Sequence, residues 1–242
     1  MTQLLSVVDI SKRFRGLVAV DKASFALDQG DIFAVIGPNG AGKTTLFNMI
    51  AGMLAPDEGT ITFCGQRIDG MPADAVCRLG IGRTFQIVRP FPSLSVEDNV
   101  TIGALLHRSD VGAARSYARD VLAKLDLFDK RAVTASALTL PNRKRLEVAR
   151  ALATDPKLLL LDEVMAGLVP TETDRMVEIL RGLNRDMGVT ILLIEHVMRA
   201  VMVLAGKVLV LHHGAAIAQG PPQEVVRDPR VIKSYLGAEV AI

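Results

Sequence analysis

The sequence predicts an α/β fold: a mostly parallel sheet covered by helices, joined by an antiparallel β layer and an inserted α-helical subdomain. Three observations carry the prediction. The apolar run Ile32, Phe33, Ala34, Val35, Ile36 enters a glycine-rich turn, and Leu46, Met49, Ile50 and Met53 follow it at helical spacing. Between residues 4 and 64, short stretches alternate apolar and polar side chains, as half-buried antiparallel strands do. After residue 153, continuous apolar runs alternate with amphipathic ones, the pattern of parallel strands buried on both faces.

Taken in order, Leu4 to Phe14 and Val20 to Leu27 read as two short strands around the turn Arg15-Gly16, with Phe25 and Leu27 alternating against polar neighbours. GTITFC, from Gly59 to Cys64, is a third, with Ile61 and Phe63 on one face. These strands flank the glycine-rich turn and form the expected antiparallel layer. From Ser95 to Ala153 helical patterns take over, for example Ala114, Ala118, Val121, Leu122 and Leu125. The expected organisation is therefore one domain, with residues 1–94 and 154–242 forming the core and 95–153 a helical subdomain. Beyond it come a strand at Lys157 to Leu161 and a helix with Met176, Ile179, Leu180, Leu183 and Met187 on one face. A further strand is expected at Thr190 to Ile194. Thr171 and Asp174, just after Pro170, are expected to cap that helix.

The bulk composition narrows the function. With 242 residues and 50% hydrophobic side chains, the chain buries a sizeable core. Twenty-eight basic against 26 acidic residues leave a net charge of +2, which gives no electrostatic case for a nucleic-acid partner. Cys64 and Cys77 show no CxxC pattern and read as reduced, buried or half-buried thiols of a cytosolic protein. The N-terminus lacks a basic start before an apolar core. The greasiest region, Val197 to Ala218, is interrupted by Arg199, Lys207, His212 and His213, so neither a leader peptide nor a spanning helix is expected.

The chemistry begins in the glycine-rich turn. Gly37-Pro38-Asn39-Gly40-Ala41-Gly42-Lys43-Thr44-Thr45 satisfies GxxxxGK[ST] between a strand and a helix, which makes the core that of a P-loop NTPase. In that context successive N–H groups and a helix N-terminus converge on one anion. Gly37, Gly40 and Gly42 let the backbone approach phosphate without a Cβ in the way. Lys43 is placed to bridge the β- and γ-phosphates, and the hydroxyl of Thr44 to coordinate Mg²⁺. Thr45 adds no argued chemistry.

LLLLDE, Leu158 to Glu163, reads as a buried strand ending in two carboxylates. Asp162 at the tip would hold Mg²⁺ or its water shell, and Glu163 would polarise an attacking water. ILLIEH ends at His196, whose imidazole could reach the γ-phosphate and that water; His107, His212 and His213 read as structural. Gln86, closing GIGRTFQ, offers an amide for metal or water, although a polar strand end explains it nearly as well.

Read together, GPNGAGKTT, Gln86, LLLLDE and His196, with a helical insert between Gln86 and Asp162, resemble the ATP-binding subunits of ABC transporters over essentially the whole chain. RFRGLVAV, GIGRTFQ, FPSLSVEDNV, TILLIEHVM and VIKSYLG narrow the resemblance to the ATPases of branched-chain amino acid importers. Lipopolysaccharide-export ATPases share the ending but differ before the glutamine and after the glycine-leucine pair that follows the carboxylates. The resemblance implies ATP as the nucleotide and an aromatic near the first strand stacked on adenine, here Phe14, which could equally be a hairpin core residue. It implies membrane-spanning permease subunits as partners, a second ATPase subunit placed head to tail, and a peripheral location on the cytoplasmic face of the inner membrane. Ile87, Val88, Phe91 and Leu94 would line the groove for a permease helix, or serve as ordinary core. The competing class is a soluble ATPase of the same superfamily, which usually carries a coiled-coil insertion or two tandem modules; this chain shows neither.

Two departures stand out. The family signature LSGGQ falls on Leu138-Thr139-Leu140-Pro141-Asn142, where both glycines are gone. In the family this loop grips the γ-phosphate held by the opposite subunit. Thr139 keeps a hydroxyl and Asn142 an amide, but Leu140 adds bulk and Pro141 has no N–H. Asn142 to Arg145 then open a helix whose basic face is either solvated or turned to phosphate. The aspartate expected after Ala166-Gly167-Leu168 is replaced by Val169. An unequal pair of sites, hence a heterodimer, is the resulting expectation.

Overall fold

The computed structural model describes residues 2–85 and 90–236. Contacts divide the chain into two compact units, residues 1–76 with 192–242 and residues 77–191.

The first unit holds most of the strands. β1 (Gln3–Phe14) and β2 (Leu17–Asp28) form a long hairpin in which Leu5 faces Leu27 and Val7 faces Phe25. The second strand starts at Leu17, three residues before the expected Val20, and its first residues, Leu17 and Val18, are exposed. Pairing nevertheless runs to Phe14 opposite Leu17, since the two-residue turn is closed by Arg15 in the left-handed region at φ 53°. β3 (Ile32–Ile36) leads into the phosphate loop and α1 (Lys43–Ile50). β4 (Glu58–Phe63) pairs antiparallel with β1, and β5 (Gln66–Arg67) with β4. The stretch read as one greasy, interrupted region resolves into α7 (Met198–Leu204), β9 (Lys207–His212) and most of β10 (Ala215–Gly220). Its polar residues mark boundaries: Lys207 starts β9, and His213 at φ 48° with Gly214 turns the hairpin. β9 lies parallel to β3, Val35 opposite Leu209, and β10 contributes one parallel pairing to β2. The strand order is β5-β4-β1-β2-β10-β9-β3, followed by the end of β8 (Thr190–Ile194). Parallel core and antiparallel layer thus meet at β10. Phe33, Ile36, Phe47, Ile61 and Phe63 are fully buried, and Phe25 stacks on Phe33 with centroids 5.4 Å apart. α8 (Pro222–Val225) and α9 (Pro229–Leu236) end the described chain.

α2 (Ala73–Arg78) passes into the second unit, where β6 (Ile81–Arg83) pairs in parallel with β7 (Leu158–Asp162). The helical stretch expected at 95–153 contains α3 (Val96–Ala104), α4 (Val111–Lys124) and α5 (Leu140–Leu152), and it groups with β6, β7 and α6 (Pro170–Met187). Ser95 and Asp110 cap α3 and α4 by accepting the N–H groups of Asp98 and Ala113. Ala114, Ala118, Val121 and Leu122 form the buried face of α4.

Two helix starts differ from the sequence reading. α6 begins at Pro170 with Val169 ahead of it, so Thr171 and Asp174 lie inside the helix and Glu172 accepts the Val169 N–H at 3.1 Å. Proline is preorganised for the first helical turn, and its missing N–H has no partner to lose there. For the same reason α5 starts at Leu140, with Pro141 in its first turn, two residues before the expected opening at Asn142. Cys64 is exposed rather than buried; it lies beyond the end of β4 at φ 50°.

Candidate nucleotide site

The phosphate loop is walled by backbone. Gly37 (φ 148°) and Gly42 (φ 101°) adopt conformations that side chains resist, and a Cβ at either would lie 2.1 Å from the Leu211 carbonyl oxygen or 2.2 Å from that of Ala19. β9 and β2 therefore press the loop shut on two sides. Gly40 (φ 80°) faces open space, so only its conformation requires glycine. Asn39, Gly40 and Thr44 are exposed, Pro38 and Thr45 half-buried, and Ala41 is buried with its carbonyl accepting the Gly214 N–H at 3.1 Å. Lys43 is buried and donates to the carbonyls of Gly37 (2.7 Å) and Pro38 (2.9 Å), which places its ammonium inside the loop's mouth. Tyr235 of α9 accepts a backbone hydrogen bond from Gly37, while burial pushes its phenol above the ordinary range.

Phe14 ends β1 with 43% of its surface exposed, so it is no core residue of the hairpin. Lys12 lies 5.9 Å from its ring centroid and is itself held by Asp57, whose carboxylate accepts from Lys12 Nζ (2.7 Å) and the Arg13 N–H (2.8 Å). An exposed aromatic on an anchored strand end leaves a ring face open to a planar partner. His196 is exposed, two residues beyond β8.

In the second unit β7 stops at Asp162, one residue earlier than read, because Glu163 turns into the left-handed region at φ 51°. Asp162 is 2% exposed. Burial pushes its carboxyl up, and Arg83, whose Nη2 lies 3.4 Å from Oδ2, pulls it back. Thr84 fixes the backbone by accepting the Asp162 N–H at 3.0 Å. Oδ1 is buried with no hydrogen-bond partner among the described residues. An orphaned carboxylate oxygen at a strand tip costs free energy unless a cation or its water completes it. The donor set fits Mg²⁺, an oxygen-seeking ion that keeps few protein ligands. Gln86, together with Ile87 and Val88, lies outside the described residues. Phe91 is 44% exposed, and its backbone is pinned by the buried Asn99, which accepts the Phe91 N–H at 2.8 Å.

Thr139 precedes α5 with ordinary extended dihedrals, and its hydroxyl accepts from Asn142 Nδ2 at 3.1 Å. Leu140 stays 39% exposed. The basic face that follows is split: Arg143 is exposed, as the solvated alternative has it, whereas Lys144 and Arg145 turn to protein partners. Lys144 is 6% exposed and donates to the Glu163 carbonyl at 2.9 Å, and Arg145 lies 3.7 Å from Asp126. Sequence reasoning missed Arg83 and Lys144. For Lys144 a signal existed: it sits one turn before Val148 and two before Leu152, on the apolar row of α5. For Arg83 there was none, since its partner is 79 residues away.

Residues 20–166 match the family described as ABC transporter, and residues 217–241 match one described as branched-chain amino acid ATP-binding cassette transporter. The high-affinity branched-chain amino acid transport ATP-binding protein LivG of Escherichia coli K12 is 38% identical, covering 97% of this chain and 98% of its own length. BraF of Pseudomonas aeruginosa, carrying the same description, is 36% identical over the same shares. The crystal structure of an ABC transporter's ATP-binding cassette in its ADP conformation superposes with a TM-score of 0.89 at 30% identity, covering 98% of this chain and all of that one. With the glycine-walled loop, Lys43 in its mouth and paired carboxylates at a strand tip, the chain belongs to the ABC transporter family, among its ATP-hydrolysing cassettes.

Proposed function

We propose that this chain hydrolyses ATP to drive uptake of a branched-chain amino acid or a related small organic solute, through separate membrane-spanning permease subunits at the cytoplasmic face of the inner membrane. One observation carries the nucleotide-binding part: a phosphate loop whose close backbone walls at Gly37 and Gly42 admit only glycine and whose lysine already occupies the mouth. The solute class is supported by LivG and BraF, and by the match of the final residues. No helix among the described residues is long and apolar enough to cross a membrane, which fits the assignment of passage to partners.

In this reading Phe14 stacks on adenine, the N–H groups from Asn39 to Thr45 hold the β- and γ-phosphates, and Lys43 neutralises them. Thr44 and Asp162 would hold Mg²⁺, with Gln86 as a further oxygen ligand; the ion supplies charge neutralisation on the phosphate oxygens. Glu163 accepts a proton from the attacking water, and His196 orients that water against the γ-phosphate. A second ATPase subunit, head to tail, completes this site with its own signature loop, while Thr139, Leu140 and Asn142 face the partner's nucleotide. Pro141 withholds an N–H from that nucleotide, so hydrolysis is concentrated at this chain's own loop in a heterodimer.

Expression with its neighbouring subunits, reconstitution into vesicles and measurement of ATP-dependent leucine uptake tests the reading. Uptake that disappears with Glu163→Gln supports it. A chain that purifies without membrane subunits and hydrolyses ATP at full rate alone points to the soluble class instead.

A further inference from the structure

Glu163 stands in a backbone conformation that a non-glycine residue adopts only when its surroundings hold it there. At φ 51° it is one of eight non-glycine residues in the left-handed region among the described residues, and such conformations cost free energy that neighbouring contacts must offset. Its carbonyl is held from two sides. The Ala166 N–H donates at 3.2 Å, closing the turn locally, and the Lys144 ammonium donates at 2.9 Å from a different element.

Lys144 sits against two unfavourable preferences. It is 6% exposed, although ammonium groups are rarely buried, and it lies near the N-terminal end of α5, where the helix dipole disfavours positive charge. A buried ammonium there requires strong acceptors, and it has the Glu163 carbonyl; its charge also reaches Asp162. A second contact joins the same two stretches. Gly167 (φ 78°) lies under Leu140, whose Cδ2 would be 3.3 Å from a Cβ built there. Leu140 is the residue that replaced a signature glycine, and a glycine could not make that contact.

We infer that the first turns of α5 form a brace for the Glu163–Leu168 loop, with Lys144 the strut that keeps Glu163 turned and Leu140 a clasp over Gly167. Lys144 is a positioning residue: its ammonium donates to the Glu163 carbonyl and acts by fixing the direction of the Glu163 side chain. The brace also ties the signature stretch, turned toward the partner's nucleotide, to the base of this chain's own site. The inference rests on the reading of Glu163 as the group that acts on water.

The test uses the full chain with three readouts: ATP affinity, turnover, and amide hydrogen exchange of Ala166 and Leu168, which donate to Glu163 and Met165. Lys144→Met removes the ammonium and keeps most of the volume. ATP affinity should stay within about twofold, turnover should fall roughly 10–100-fold, as small misplacements of catalytic groups do, and the two amides should exchange faster while phosphate-loop amides do not change. Lys144→Arg should recover most of the turnover. Lys144→Met combined with Glu163→Gln should be no slower than Glu163→Gln alone, since one acts through the other. Unchanged exchange at Ala166 and Leu168, or a turnover loss that adds to that of Glu163→Gln, overturns the brace. Glu163→Gln at full turnover overturns the reading of the base and leaves the exchange result to judge the brace. Should Lys144→Met fail to fold, Leu140→Ala must speed exchange of the same two amides; no effect there overturns the inference.

Discussion

The phosphate loop and the signature stretch are both turns leading into a helix, and both face nucleotide in this account. They differ in what the backbone demands. Gly37 and Gly42 occupy left-handed or otherwise glycine-favouring conformations with carbonyls 2.1 and 2.2 Å from any added Cβ. Leu138 to Asn142 contain no residue at positive φ, and Thr139 is ordinarily extended. Glycine at the second site therefore serves access and N–H donation rather than chain geometry. That is why it can be lost there without loss of the fold, Leu140 even adding a contact over Gly167 that a glycine could not make.

Substitution in the two turns should therefore give opposite results. Gly37→Ala drives a Cβ into the Leu211 carbonyl and should cost about 3 kcal/mol or more, enough to lower soluble yield and melting temperature sharply. Leu140→Gly, at a half-exposed first helical position, should cost only about 1 kcal/mol. Equal melting temperatures for the two variants would break the comparison. Lys43→Ala comes next. It removes the ammonium and its two carbonyl contacts, and should weaken ATP binding by roughly 2–3 kcal/mol, ~10²-fold in Kd by titration. Phe14→Ala should cost on the order of 1–2 kcal/mol in ATP affinity with little change in melting temperature, because the ring is already 43% exposed. Phe14→Tyr should be nearly silent. A large stability loss without nucleotide would return Phe14 to the core.

What the sequence made legible follows the same division. GPNGAGKTT and LLLLDE could be read because local backbone geometry and strand burial dictate residue type at fixed spacing. The strand pair β9–β10 was hidden because its residues formed one greasy run whose boundaries are single polar positions. The starts of α5 and α6 lie earlier than the polar residues suggested, because Pro141 and Pro170 sit in the first helical turn and initiate the helix ahead of Asn142 and Thr171. Arg83 depends on tertiary placement, 79 residues from the group it holds, and no local period encodes such a distance; for Lys144 the apolar row of α5 signals burial but not the Glu163 carbonyl, 19 residues away, that it holds. Lys144 shows the limit most clearly: in a basic run, RKR, one lysine turns inward and its neighbours do not.

The central claim is that an intact phosphate loop and an impaired signature stretch on one chain make two unequal sites. Turnover of reconstituted transporter carrying Glu163→Gln, set beside turnover with the equivalent glutamate of the partner cassette replaced, measures that claim most directly. Loss of one preorganised donor typically costs roughly 3 kcal/mol, ~10²-fold in rate. Glu163→Gln should therefore abolish nearly all hydrolysis, while the partner's change leaves a substantial fraction. Equal losses from the two changes, or full activity from a homodimer of this chain alone, would contradict the account.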